Sequence, residues 1–414
     1  MQLLDAHARH YAWGSRTLIP ELKGEEPGTR PVAELWFGAH PANPSTIGDE
    51  RLDDIIAAAP EAMLGAQVCA KFDGRLPFLM KILAAGEPLS LQAHPTPEQA
   101  RDGFEREDAA GIALDDPKRN YKDTSHKPEI IIALTDFYAM AGFRPLEQTR
   151  ELFAALNCDG LAHYESMLVD SPEAEESNLR VLFTTWITIP AAIRTKLIED
   201  VTVAAHEYVG SAEPGDWIAG VLRTVIALQE QYPGDPGVLG ALLLNHIQLS
   251  PGEAVYLDAG ELHAYVRGMG VEVMANSDNV LRGGLTSKHV DVPELVRVLN
   301  FEALSSPRVE QEDLSQHESL SGGAAWGYPV PIDEFSVVRC ELSGDDSVEL
   351  ASSRPGIVLC TAGRTVIEHA DPQAGPDPVT LSPGQAVWLP ANAAPCKASV
   401  GEGAESTQLF IARA

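Results

Sequence analysis

Between Leu89 and Pro95 the chain reads LSLQAHP, and two donors in that stretch, Gln92 and His94, stand two positions apart. In an extended strand alternate side chains share a face, so the amide and the imidazole would project together, as a ready pair of metal ligands. A third donor, Glu129, opens the apolar run EIIIAL. A carboxylate buried there would be costly without a cation, so it either meets one or lies exposed at a strand start. A single histidine is more often a satisfied core or polar side chain than a ligand. The company of these donors argues for more. Lysine is scarce, nine in 414 residues, yet Lys81, Lys127 and Lys288 fall close to Gln92, Glu129 and Arg282 respectively. Such a set suits Lewis-acid chemistry on an anionic small molecule, with lysine as the point charge for a phosphate.

Strands must hold these residues, and up to about Phe143 the text is strand-like: VAELWFGAH, LPFLMKILAAG, LSLQAHP and EIIIALTDFYAMAGF are short apolar runs broken by Gly, Pro and Asn. From Leu146 to about Ile247 the period changes to apolar residues three and four apart, as in LEQTRELFAALN and WIAGVLRTVIALQEQY, which predicts amphipathic helices. Strand-like text returns at Ala254 and fills the chain from about Tyr328 to the end. One phrase occurs twice: LSPGEAVYLDAGELHAY from Leu249 and LSPGQAVWLPANAAPCK from Leu381. An internal duplication accounts for this, so the expected fold is mainly β, two jelly-roll β-domains with an α-helical insertion. The expected division is 1–145 and 248–300 for the first β-domain, 146–247 for the insertion and 301–414 for the second β-domain.

Composition narrows the partners. The formal charge of −30 opposes binding to nucleic acid or to an anionic membrane surface. No stretch reaches the roughly 18 apolar residues of a membrane span, and the N-terminus lacks the pattern of a secretory signal. Five dispersed cysteines without a C-x-x-C pair suggest neither disulfides nor a thiolate metal site. A cytoplasmic protein, monomeric or weakly homo-oligomeric, is expected.

Gly86 stands six positions before Gln92, and this spacing resembles the first cupin motif with glutamine in place of its first histidine. The first copy of the repeated phrase resembles the second cupin motif: Gly252, Gly260 and His263 fall in register, with Asp258 where proline is usual. In the later copy Asn392 replaces the second glycine and Pro395 takes the ligand position, and proline cannot bind a metal. The resemblance therefore implies a metal in the first barrel alone, held by Gln92, His94, Glu129 and His263. Two imidazoles and two oxygen donors suit zinc, and also manganese, iron or nickel.

Longer stretches are similar to the type I mannose-6-phosphate isomerase family: YAWGS, ELWFGAHP, PFLMKILAAGEPLSLQAHP, YKDTSHKPE, GELHAYVRG and above all EVMANSDNVLRGGLTSKHVDVPEL. The likeness runs to about Leu295, skips the helical insertion and returns weakly at the end. Leu262 and Ser287 stand where the family often has proline. The resemblance implies one Zn2+ per chain on those four ligands and the interconversion of mannose 6-phosphate and fructose 6-phosphate through a cis-enediol. It also implies an active-site role for Arg282 and phosphate contact for Ser90, Lys81 and Lys288. Isomerisation needs a base for the C2 proton and a cation for the developing oxyanion. Asp278, Glu272, Lys81, Lys127 and His126 are all candidates for the base, because nearness in sequence is not geometry. Tyr265 shares strand parity with His263 and is expected at the pocket mouth, while Trp13 and Trp36 read as core aromatics. Cupin oxygenases and non-enzymatic sugar-binding cupins are the rival readings. A fused guanylyltransferase is disfavoured by the lack of a glycine-rich phosphate loop at the N-terminus.

Overall fold

The computed structural model describes residues 1–169, 171–350, 353–371 and 377–414. The strand Phe78–Ala85 shows how the central sheet is organised: all eight residues are buried, so both of its faces are covered. Phe78, Met80, Ile82 and Ala84 point one way, into a core shared with Ile357, Leu359, Trp388 and Phe410 of the C-terminal domain. Leu79, Lys81 and Leu83 point the other way. The neighbouring strands Glu129–Ala133 and His263–Ala275 obey the same parity, with Ile130, Ile132, Val271 and Val273 in the shared core and Glu129 and Glu272 on the opposite face.

An eleven-stranded system forms the first barrel, with His263–Ala275 running through it. The second half of that strand lies between Phe78–Ala85 and Glu129–Ala133, and its first half pairs with Phe137–Phe143 and with Leu91–Ala93. Two further sheets of seven and five strands form the C-terminal barrel. The expectation of a mainly β chain with two cupin-like barrels and a helical region holds. The N-terminus crosses between the barrels: Gln2–Leu4 pairs with Ala386–Trp388 as an edge strand of the C-terminal sheet.

The region read as helical contains Leu146–Leu156, Glu175–Thr188, Ala191–Ser211 and Trp217–Gln231. Their apolar stripes close over one core around Trp186, Phe183 and Leu222, which continues to Phe143 and Leu281 of the barrel. Strand begins again at Leu244, earlier than expected, because Leu244–Leu249 pairs with Phe137–Phe143. Helices also occur where strand text was read, at Leu52–Ala58, Pro60–Leu64, Ala66–Lys71 and Pro97–Ala109. The last of these is announced by Thr96, Pro97 and Gln99, a proline-started capping box in which side chain and backbone bond reciprocally. Among the described residues no single helix is long and apolar enough to cross a membrane. The consecutive helices Glu175–Thr188 and Ala191–Ser211 turn by 114° at their junction and bury Phe183, Trp186 and Leu197 in the insertion core.

The repeated phrase makes the same turn twice. Gly252 and Gly384 hold φ of +90° and +84°, which only glycine adopts without strain. Gly252 has a second constraint: a β-carbon there would lie 1.8 Å from Nη1 of Arg339, a residue of the C-terminal barrel.

Candidate active site

Strand register does most of the assembly. His263 pairs with Gln92, and Gln92 pairs on its other side with Arg282. Trp36, Lys81 and Glu272 form a second row across three strands. Residues directly opposite on neighbouring strands have β-carbons about 5 Å apart, so each row is a contiguous set of side chains. Both rows face a cavity of about 510 Å³. Its wall includes Lys81, Ser90, Gln92, Lys127, Glu129, Tyr265, Glu272, Asp278, Arg282 and Lys288. His94 and His263 lie fully buried beside Glu129.

His94, Glu129 and His263 bring one ligand atom each within 4.8 Å of the others, the one such His/Cys/Asp/Glu cluster among the described residues. Each imidazole is oriented from behind: His94 Nδ1 donates to the Asn279 carbonyl and His263 Nδ1 to the Glu261 carbonyl, both at 2.8 Å. This leaves each Nε2 as an acceptor turned toward Glu129, at 3.5 Å from one carboxylate oxygen or the other. Nε2 of both histidines and Oε2 of Glu129 are buried without a hydrogen-bond partner. Three orphaned acceptors converging in a dry site fit a cation. Burial, with the charge of Lys127 nearby, pushes His94 down to about 4, so its ring is neutral at physiological pH as a ligand must be. Burial alone would raise Glu129, but Lys127, whose Nζ lies 2.8 Å from Oε1, holds it well below the usual carboxylate range. Gln92, in cross-strand register with His263, supplies a further oxygen at the same face.

In the second row the Lys81 ammonium donates to Glu272 at 2.7 Å and lies 3.6 Å from Glu34, whose other oxygen accepts from Trp36 Nε1 at 2.8 Å. Burial alone would lower Lys81; the field of Glu272, Glu34 and Glu129 overrides it and holds the lysine protonated. Burial, with Glu129 and Glu34 adding to it, raises Glu272 against the pull of Lys81. Asp278 is half-exposed; its partial burial would raise it, but His40 at 3.3 Å together with the charges of Lys127 and Lys81 prevails, so it stays ionised. His126 turns away from the cavity: its Nε2 meets Glu334 of the C-terminal barrel at 2.5 Å.

Four cations (Lys81, Lys127, Arg282, Lys288) and four carboxylates (Glu34, Glu129, Glu272, Asp278) line the cavity. The site is therefore locally balanced in a chain of net charge −30. Lys81 and Lys127 are consumed by carboxylates, whereas Arg282 and Lys288 have no ion-pair partner among the described residues. Burial lowers both, and Lys288 is lowered further by Arg282. Two adjacent unpaired cations in a partly desolvated wall make an anion site.

Sequence reasoning missed several residues here. Trp36 is buried in a small core with Leu79 and Met274, and Trp13 packs against a neighbouring core, as read, but both also line the cavity; Tyr265, expected at the mouth, lies deep, with 1% of its surface exposed. Glu34 and His40 had no assigned role. Asn279 and Asp123 weld the two loops around the site: the Asn279 side chain accepts from the Lys122 and Asp123 amides and donates to the Asp123 and Ser125 carbonyls. Asp123 in turn accepts from Ser277 Oγ and the Asp278 amide. These partners stand more than 150 positions apart, so no local pattern announces them.

Fold and site together define a cation-binding double-barrel protein with an anion-binding wall. Residues 1–146 match the family model of the phosphomannose isomerase type I catalytic domain. The chain is 38% identical to the mannose-6-phosphate isomerase of Escherichia coli (strain K12) over 403 residues, covering 95% of this chain and 96% of that protein. It is 30% identical to the Homo sapiens mannose-6-phosphate isomerase over 418 residues, with 94% and 93% covered. The apo form of mannose 6-phosphate isomerase from Salmonella typhimurium superposes with a TM-score of 0.84 at 34% identity, covering 100% of this chain and 98% of that one. A mannose 6-phosphate isomerase structure bound with zinc and yttrium gives 0.83 at 34% identity, with 99% and 98% covered. The chain belongs to the type I phosphomannose isomerase family.

Proposed function

We propose that the protein is a zinc-dependent aldose-ketose isomerase that interconverts mannose 6-phosphate and fructose 6-phosphate. One observation carries this reading: the cavity lined by the unpaired cations Arg282 and Lys288 reaches Glu129, on whose carboxylate the orphaned, buried Nε2 atoms of His94 and His263 converge. Relatives covering nearly the whole chain are mannose-6-phosphate isomerases, and one structural neighbour holds zinc.

Gln92, His94, Glu129 and His263 would hold the zinc ion, which when bound supplies Lewis acidity to polarise the sugar's oxygens. Lys288 and Ser90 bind the phosphate and so fix the sugar's long axis in the cavity. Arg282, beside Gln92 in the sheet and next to Lys288, meets the oxyanion charge that develops as the C2 proton leaves. Glu272 takes that proton and returns it to C1. Its raised affinity for a proton makes it a better base than Asp278, which His40 keeps ionised. Lys81, assigned by resemblance to phosphate contact, is tied to Glu272 at 2.7 Å, and we give it the task of setting that carboxylate's basicity. Lys127 holds Glu129 in place and ionised. Trp13 and Trp36 shield the cavity from water.

On this reading catalysis belongs to residues 1–145 and 248–300, with 146–247 walling the cavity and 301–414 backing the sheet. The five free cysteines support a reducing cytoplasm, and action as a monomer or weak homo-oligomer is part of the same reading. Fructose 6-phosphate formation from mannose 6-phosphate tests the reading, measured by coupled assay on purified protein before and after chelation and with zinc restored. Activity lost to the chelator and regained with zinc is expected; an inactive zinc-loaded protein would overturn it.

A further inference from the structure

The segment that carries the anion-binding lysine is held in an unfavourable backbone shape by a carboxylate from the helical insertion. Leu285 has φ of +53°, the left-handed region that a β-carbon disfavours, and is itself buried. Beside it, Asp235 from the end of the insertion accepts hydrogen bonds from three backbone amides. Oδ1 takes the Gly237 and Leu285 N–H groups, each at 2.7 Å, and Oδ2 takes that of Thr286 at 3.4 Å. The chain then turns at Thr286, whose hydroxyl accepts from the Lys288 amide at 3.1 Å. The two backbones touch so closely that a β-carbon on Gly284 would lie 2.7 Å from Gly237 Cα, and one on Gly237 would lie 2.8 Å from the Leu285 nitrogen. Such closeness needs glycine on both sides, and it puts the Asp235 carboxylate within reach of the amides it accepts from.

We propose that Asp235 is a positioning residue for the phosphate grip: it latches the 284–288 loop in its strained form and so presents Lys288 to the substrate's phosphate. The inference rests on the reading of Lys288 as the phosphate contact. It also gives the helical insertion a part in substrate binding beyond forming a wall. Asp235 touches neither substrate nor metal ligands, and its effect reaches the cavity through Leu285, Thr286 and Lys288. The chain of contacts predicts a loss of phosphate affinity, with the chemical step largely spared.

The test uses full-length zinc-loaded protein and three readouts: kcat and KM for mannose 6-phosphate, the competitive inhibition constant of inorganic phosphate, and phosphate binding measured directly by calorimetry. For Asp235→Ala we expect KM and the phosphate inhibition constant to rise together by about tenfold, with kcat within about threefold of the parent and zinc content unchanged. Asp235→Asn keeps one acceptor oxygen and should fall between the two, which guards against a folding failure of the alanine variant. A purely structural role would shift Tm without a matched rise in the two constants. Unchanged phosphate constants in a folded variant, or a fall in kcat with KM intact, would overturn the latch. Failure of the parent protein to isomerise mannose 6-phosphate would strike instead at the functional reading, and the calorimetric comparison would still decide the latch.

Discussion

Replacing Lys81 with methionine removes one cation from a buried cluster in which a single ammonium serves Glu272 at 2.7 Å and Glu34 at 3.6 Å. Methionine keeps much of the volume and none of the charge. At an effective dielectric of about 20, opposite charges roughly 4 Å apart attract by about 4 kcal/mol, equivalent to about three pH units on a carboxylate. Water entering the gap will reduce this, so a displacement of about one to three units is expected. Lys81 lowers Glu272, so its loss raises further a carboxyl that burial already holds above its ordinary value. A general base works only when ionised. The acid limb of kcat/KM for mannose 6-phosphate should therefore move to higher pH, with neutral-pH activity depressed and partly recovered in alkali. Stability carries the same sign. A carboxyl whose folded pKa is raised favours the folded state fully below its unfolded pKa and loses that favour as pH rises through the folded pKa. The Tm deficit of the variant against the parent should thus be widest in alkali and shrink on acidification. Profiles of kcat/KM between about pH 5 and 9, with zinc content checked at each end, measure it. An acid limb that stays put or moves down while zinc is retained would refute both Glu272 as the base and Lys81 as its tuner.

Three further perturbations follow from named contacts. Arg282→Ala should cut kcat by about a hundred- to a thousandfold while zinc content by mass spectrometry stays at the parent level; preserved turnover would remove Arg282 from the chemistry. Glu334→Ala deletes the C-terminal barrel's hold on His126, one residue before Lys127, and should lower kcat by about three- to tenfold with Tm down only slightly, measured in the same coupled assay. Gly252→Ala forces a β-carbon onto a φ of +90° and into the Arg339 guanidinium, and should cost about 1–3 kcal/mol in urea unfolding; a neutral result would show that the two barrels can separate freely at this turn.

The metal donors were legible because strand parity is local: Gln92 and His94 share a face two positions apart, and Glu129 interrupts the apolar text at the start of its strand. Lys81 was legible for a different reason, the scarcity of lysine and its nearness to Gln92, and it is the single charge in the fully buried strand Phe78–Ala85. What escaped was set by register between distant strands and by loop-to-loop bonding. Nothing in the text around Glu34 says that it shares an ammonium with Glu272, since that depends on Trp36, Lys81 and Glu272 lining up across three strands. Asn279 lies within the family-like stretch and no local pattern marks it, yet its backbone orients His94 and its side chain fastens the loop before Lys127. The early helices were obscured because apolar runs too short for a clear period look alike in helix and strand; only Pro97–Ala109 carried a readable cap.

The duplicated phrase shows why a barrel without ligands is kept. Both copies make the glycine turn and enter a strand, and then diverge: Asn392 stands in place of Gly260, and Pro395 takes the position of the ligand candidate His263. Parallel to that loss runs a gain visible in burial. Sheets covered on both faces read as near-continuous apolar runs, and FLMKILAA and EIIIA are such runs because Ile357, Leu359, Trp388 and Phe410 of the second barrel cover their outer face. With that face dry, Lys81, Glu129 and Glu272 are backed by packed side chains, and the low polarity that holds Glu272 above its ordinary value is sustained from both sides of the sheet. A second barrel that had kept its own ligands would serve this purpose no better, since the surface that matters is its outer sheet and not its interior. Glu334 then adds one polar contact across the same boundary, to the loop that delivers Lys127. The lost metal site is therefore compatible with a retained catalytic contribution, exerted through packing against the sheet that does the chemistry.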